Sequence, residues 1–260
     1  MAAAEPAAPD SAAATELPSP DRPLIVFLHG TRLTGAEWAA QTRALSDEFT
    51  CLALDLPGHG RAAGVPFTRA GAGEAVAGAI ERSGLGSAVL VGLSLGGYVA
   101  MEVAARRPEL VAGLVIAGAT AEPTRIRSVP YRLLAVAFDR IDERLLDRLN
   151  RWFFGVRYPP EIADPILVDG FYFKGGATAI RALIGERFVP RLTRYPGSTL
   201  IINGAYDVLF RLFQRRFVEA AAHPRRRLIA GATHLSNLDQ PEAFSAAVRA
   251  FAREIVARTE

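Results

Sequence analysis

Residues 89–97 read Val89-Leu90-Val91-Gly92-Leu93-Ser94-Leu95-Gly96-Gly97, and this stretch decides the fold. An apolar run leads into Gly-x-Ser-x-Gly, and a helical pattern follows as far as Arg107. A serine hydroxyl attacks a carbonyl only when it is exposed at a sharp turn, reachable by a base and close to backbone donors. A tight strand-to-helix turn supplies that exposure, and glycines at 92 and 96 let strand and helix approach closely. The following helix aims its free N–H groups and its positive dipole end at the same point. The competing reading is a glycine-rich turn with an incidental serine. A phosphate-binding loop fits less well: no Gly-Lys-Ser/Thr follows, and there is no G-x-G-x-x-G fingerprint.

The flanking sequence repeats the strand-then-helix alternation. Apolar runs at 24–28, 50–54, 88–93 and 111–117 predict buried strands, and helical spacing at 35–48, 69–83 and 95–107 separates them. Pro108 stops the third helix, and Asp55-Leu56-Pro57-Gly58-His59-Gly60 reads as a structural loop. Hydrophobicity that is continuous along each strand indicates a parallel sheet covered on both faces. The alternation breaks over 121–195, where only amphipathic helical patterns occur. It resumes with a strand at 198–203, a helix around 209–222, a short strand at 227–229 and a final helix at 241–258. Asp239 or Gln240 is a plausible cap for that last helix. The expected organisation is a tail at 1–22, a core at 23–120 and 196–260, and an insertion at 121–195.

A serine nucleophile needs a base, and the base needs an orienting acid. In a doubly wound sheet both belong on loops at the carboxyl ends of later strands. Asp207 follows the strand at 198–203, and His234 follows the strand ending near Ile229. Each has a plainer reading: Asp207 as a helix cap, His234 as a surface-loop histidine. Their order after Ser94, each at a strand end, favours the catalytic one. His29 and His59 precede the serine, and His223 begins a turn before Pro224.

Together, Phe27-Leu28-His29-Gly30-Thr31, Asp55-Leu56-Pro57-Gly58-His59-Gly60, Gly92-Leu93-Ser94-Leu95-Gly96-Gly97, Gly204-Ala205-Tyr206-Asp207 and Gly231-Ala232-Thr233-His234 resemble the α/β-hydrolase superfamily. The resemblance implies an α/β fold with a mostly parallel sheet of about six strands, helices on both faces and an inserted helical cap. It also implies an oxyanion hole from the backbone N–H groups of Leu95 and Thr31. Thr31 replaces the bulky aromatic often found there, and its hydroxyl either reaches the substrate or fills space. Arg32 either binds an acidic substrate group or points to solvent. The antiparallel strands that often open this fold are expected to be missing or rudimentary. The insertion carries half the aromatic residues of the chain. Trp152, Phe153 and Phe154 are among those that would line an apolar substrate pocket, unless they only pack the cap.

Bulk properties narrow the function classes. The chain has 260 residues, half of them apolar, and a formal charge of +3. Its arginines are dispersed and no recognised nucleic-acid fold is present, so no nucleic-acid partner is expected. The single cysteine, Cys51, excludes an internal disulfide. Four histidines without a His-Glu-x-x-His pattern give no expectation of a metal or cofactor. The Ala- and Pro-rich segment 1–22 reads as disordered and not as a signal peptide. With no long apolar run, a cytoplasmic protein without a membrane association is expected. The expected activity is a serine hydrolase acting on a small, mainly apolar ester, thioester or related carbonyl compound through an acyl-enzyme. The alternatives are a carbon–carbon bond hydrolase or lyase with the same triad, and a small-molecule sensor with little turnover. The sequence carries no reading of oligomeric state.

Overall fold

The computed structural model describes residues 12–14 and 22–258. Its sheet contains β1 (Ala12–Ala14), β2 (Leu24–Leu28), β3 (Thr50–Leu54), β4 (Ala88–Leu93), β5 (Val111–Ala117), β6 (Ser198–Gly204) and β7 (His223–Ile229). The spatial order is β1-β3-β2-β4-β5-β6-β7. Strands β2 to β7 run parallel, and β1 alone is antiparallel, against β3.

The helices are α1 (Ala39–Leu45), α2 (Arg69–Ser83), α3 (Leu95–Arg106), α4 (Val129–Arg140), α5 (Glu143–Arg157), α6 (Pro160–Asp169), α7 (Phe173–Leu183), α8 (Val189–Thr193), α9 (Val208–Ala220), α10 (Ser236–Asp239) and α11 (Pro241–Val256). Strand side chains alternate between two cores. Leu24, Val26 and Leu28 of β2 pack with Val76 and Ile80 of α2, Val99 and Met101 of α3, and Phe217 of α9. Ile25 and Phe27 of the same strand pack with Leu45 of α1 and with Phe244, Val248 and Phe251 of α11. Both faces are therefore covered, which is why the central strands read as uninterrupted apolar runs. Cys51 packs on the second face, and burial pushes its thiol up to about 12.

Helices α4 to α7 form a third apolar cluster, built on Phe138, Phe154, Tyr158, Phe171, Phe173 and Ile180. Leu33, from a core loop, and Leu238 of α10 join it and seat the insertion on the core. The buried Glu102 of α3 ties the far end back. It accepts from Arg69 on α2 at 2.8 Å, from Arg106 at 2.6 Å and from Arg191 on α8 at 2.6 Å.

Two features differ from the sequence reading. Ala12–Ala14, inside the stretch read as a disordered tail, forms the edge strand β1; residues 1–11 and 15–21 lie outside the described residues. The expectation of missing or rudimentary opening strands thus becomes one three-residue antiparallel strand. Strand β7 begins at His223, where a turn was expected, and runs for seven residues. It is an edge strand with an exposed Arg225-Arg226-Arg227 run, so apolar continuity marks only its buried end. Pro224 is tolerated there because an edge strand has one unpaired side.

Two glycines make opposite demands. A Cβ on Gly96 would collide with the Leu28 carbonyl of β2, whereas a Cβ on Gly155 in α5 would meet open space. Gly96→Ala is expected to give little folded protein. Gly155→Ala should instead raise stability by about 0.5–1 kcal/mol. Thermal melts of the two variants check the contrast.

Candidate active site

The site is assembled on loops leaving one edge of the sheet. Leu28 lies level with Leu54 and with Gly92, Ala117 with Ile202, and Gly204 with Ile229. The segments following these residues therefore emerge side by side. Ser94 sits between β4 and α3 with φ 51° and ψ −112°. Only Arg32 and Ser94 among the described non-glycine residues have a positive φ. Such a conformation costs roughly 1–3 kcal/mol and persists only where the surroundings enforce it. Here Ser94 N–H donates to Ala117 O at 2.8 Å, and Gly96 N–H donates to His29 O at 3.0 Å. The side chain of Ser94 stays half-buried and makes no hydrogen bond among the described residues.

Asp207 ends the β6 loop and His234 ends the β7 loop. They meet with His234 Nδ1 2.8 Å from Asp207 Oδ2. A carboxylate can only accept, so Nδ1 is the donor in this bond and Nε2 is the nitrogen left facing away from Asp207. Phe210 of α9 stacks on the imidazole at 4.7 Å, holding the plane of the ring. Asp207 is buried and stands at the N-cap position of α9, but its side chain makes no capping hydrogen bond there and turns to His234 instead. Gly118, the residue after Ala117, lies against both: a Cβ there would stand 2.9 Å from His234 Cε1 and 3.4 Å from Asp207 Oδ2. The loop that accepts from Ser94 is thus the floor under His234.

The His29–Arg32 loop faces Ser94 from the other side. The N–H groups of Thr31 and Leu95 have no acceptor among the described residues. Gly30 N–H donates to Glu37 Oε2 at 2.6 Å, so a buried carboxyl holds this loop from behind. His29 bridges it to the neighbouring loop: Nδ1 donates to Gly30 O at 2.8 Å, and Nε2 accepts from Leu56 N–H at 2.9 Å. Burial and the adjacent His59 push the His29 imidazole down to about 3, so it is neutral and structural. Burial likewise pushes His59 down to about 4. Asp55 binds Gly35 N–H at 2.8 Å and Arg61 N–H at 2.9 Å, a structural role as its loop suggested. The Thr31 hydroxyl turns to Gly176 O of α7 at 3.5 Å, toward the insertion.

The insertion is anchored beside His234. Asp239 is not a cap for α11. Its Oδ2 accepts from Thr233 N–H at 2.6 Å, and its Oδ1 accepts from Arg157 at 2.7 Å and from the Tyr158 hydroxyl at 2.9 Å. Burial alone would raise the Asp239 carboxyl, but the hydrogen bonds from Thr233, Arg157 and Tyr158 outweigh it and hold it below its usual value. The three aromatics expected to line a pocket separate. Trp152 is 68% exposed, Phe153 lies at the margin at 39%, and Phe154 is fully buried against Tyr158 and Phe171. Consecutive helical residues point about 100° apart, so three in a row cannot line one wall.

Glu37, Asn150, Arg157, Tyr158 and Asn237 were not found as site neighbours from sequence. Glu37 alone left a trace, a charge inside the tightly packed Gly35–Trp38 turn. Among the described residues no group of three or more metal-ligating side chains lies together, and no helix is long and apolar enough to cross a membrane.

A sequence profile of the alpha/beta hydrolase family matches residues 25–247. The chain belongs to that family. It is 25% identical over 238 residues to 3-oxoadipate enol-lactonase 2 of Acinetobacter baylyi, covering 88% of each chain. It is 29% identical over 250 residues to 2-succinyl-6-hydroxy-2,4-cyclohexadiene-1-carboxylate synthase of Serratia proteamaculans, covering 89% of this chain and 93% of the relative. Among solved structures, a thermophilic esterase from Thermogutta terrifontis superposes with a TM-score of 0.77 at 24% identity, over 94% of this chain and 98% of that one. At that identity the likeness concerns the fold.

Glu37 gives the site a measurable signature. Burial raises its carboxyl from 4.5 to about 7, against the hydrogen bond from Gly30 and the charge of Arg32. Between those values the native state holds a proton that the unfolded chain has released, so this group's contribution to stability falls as pH rises. Full ionisation costs on the order of 3 kcal/mol. Glu37→Gln should therefore gain on wild type in melting temperature between pH 5 and pH 8. A constant difference across that range would contradict the assignment.

Proposed function

We propose that this chain is a serine hydrolase acting on a small, mainly apolar ester, thioester or lactone through an acyl-enzyme. The observation that carries the reading is the conjunction of a strained Ser94 with the 2.8 Å His234–Asp207 hydrogen bond on the neighbouring loops. Family membership supports a hydrolytic enzyme, as do relatives whose names include an enol-lactonase, a methyl ester esterase and a carbamate hydrolase.

In the proposed reaction Ser94 Oγ attacks the substrate carbonyl. Nε2 of His234, left basic by the proton on Nδ1, takes the hydroxyl proton and returns it to the leaving group. Asp207 fixes that tautomer and stabilises the imidazolium. The N–H groups of Thr31 and Leu95 receive the developing oxyanion, each donor being worth on the order of 2.7–4 kcal/mol. Water then cleaves the acyl-enzyme with His234 as base. The inserted helices serve as a cap over this centre, joined to it through Asp239 and Thr233. No metal or cofactor takes part in the scheme.

A fluorophosphonate probe is expected to label wild type stoichiometrically and to leave Ser94→Ala unlabelled. On a short-chain p-nitrophenyl ester, Asp207→Asn should lower kcat by about 10⁴-fold, because the imidazole is held in the wrong tautomer. Unlabelled wild type, or turnover by Ser94→Ala equal to wild type, would overturn the proposal.

A further inference from the structure

We infer that Arg32 is the anchor for a carboxylate on the substrate, so that the preferred substrates are short esters or lactones bearing a free acid group. The inference rests on the hydrolase reading of Ser94 and deepens it by naming the substrate class.

The first observation is backbone strain. Arg32 has φ 60°, a conformation that glycine adopts freely and that costs an arginine roughly 1–3 kcal/mol. The main chain is held there from outside, since Tyr172 N–H donates to Arg32 O at 2.9 Å. A strained arginine directly after the proposed oxyanion donor Thr31 places a cation where only a side chain with a task offsets the cost.

The second observation is the state of the guanidinium. Its Nε donates to Asn150 Oδ1 of α5 at 2.8 Å, and Asn150 is itself fixed by donating to Leu146 O at 2.8 Å. This bond spans from the core loop to the insertion and sets the plane of the group. The two Nη groups make no hydrogen bond or ion pair among the described residues. A planar guanidinium with its Nε occupied offers its Nη1/Nη2 end, the geometry that receives a carboxylate through two parallel hydrogen bonds.

The third observation is charge. Burial works against the Arg32 cation; Glu37 acts in its favour only when ionised, and the Tyr158 phenol, which burial keeps protonated, supplies no charge. Neither lies within ion-pair distance of it, and Glu37 spends one oxygen on Gly30 N–H. A desolvated cation without a contact partner is costly until an anion arrives. The inference puts that anion on the small molecule whose carbonyl reaches Ser94, because Arg32 directly follows Thr31 and its guanidinium lies between that loop and the insertion.

The probes are paired methyl esters of equal length: monomethyl glutarate against methyl pentanoate, and monomethyl adipate against methyl hexanoate. Each pair differs only in a terminal carboxylate or methyl group. Wild type is expected to favour the acid member at least tenfold in kcat/KM, chiefly through KM. Arg32→Met should lower the acid-to-neutral ratio by ten- to a hundredfold, as the loss of about 1.5–3 kcal/mol for a charge-assisted hydrogen bond implies. Arg32→Lys should restore part of it. Arg32→Gly relieves the backbone strain and removes the guanidinium, so it should also lose the preference.

A second readout is independent of turnover. Glutarate should raise the melting temperature of Ser94→Ala, and should not do so when Arg32→Met is added. If no ester is hydrolysed but glutarate still stabilises the protein through Arg32, the hydrolase reading fails and the carboxylate site stands. An acid-to-neutral ratio near one in wild type, or a ratio unchanged in Arg32→Met, overturns the inference.

Discussion

The close crossing of β4, α3 and the end of β2 is the constraint on which the remainder of the site depends. No Cβ fits between Gly96 and the Leu28 carbonyl, and none fits between Gly92 and the Gly96 backbone. That contact forces the turn, and the turn forces Ser94 into a positive φ. It also brings Gly96 N–H onto His29 O, which fixes the loop bearing Thr31 relative to the serine. The proposed nucleophile and both proposed oxyanion donors are therefore set by one packing event, with no freedom to drift independently.

Around that crossing the polar groups are divided by what burial permits. His29, His59 and Asp55 lie behind the loops and satisfy backbone donors and acceptors; burial keeps both imidazoles neutral. Their ionisation would have to be met inside a low-dielectric region, so they serve geometry and not proton transfer. His234 is different: more than a third of its side chain is exposed, its Nδ1 is fixed by Asp207 and its ring by Phe210. It is the histidine that a buried carboxylate orients.

The insertion contributes through its ends more than through its aromatic content. Its interior aromatics pack on one another, while its polar residues make the decisive contacts: Asn150 with Arg32, and Arg157 and Tyr158 with Asp239. Both contacts reach loops that carry site residues. Docking of the insertion and the shape of the site are thus one variable. Counting aromatics over 121–195 could not reveal this, because a helix turns consecutive side chains to different faces.

The order Ser94, Asp207, His234 and the alternation of apolar runs with helical spacing were legible from sequence because each is local. A buried parallel strand announces itself in five or six consecutive residues, and a strand-end loop is where its glycines are. Strand β7 was half hidden because an edge strand is not obliged to be apolar. Of the two candidate caps for the last helix, Gln240 holds the N-cap position, while Asp239 is drawn off by Thr233 and by Arg157 and Tyr158 of a distant segment. Asn150 and Asn237 likewise carry no local signal, since their partners Arg32 and Glu37 lie more than a hundred residues away. The sequence alone determined the sheet and the chemistry it can present. Only the tertiary structure decided which charges are buried and which are paired, because desolvation depends on every segment that closes over a group.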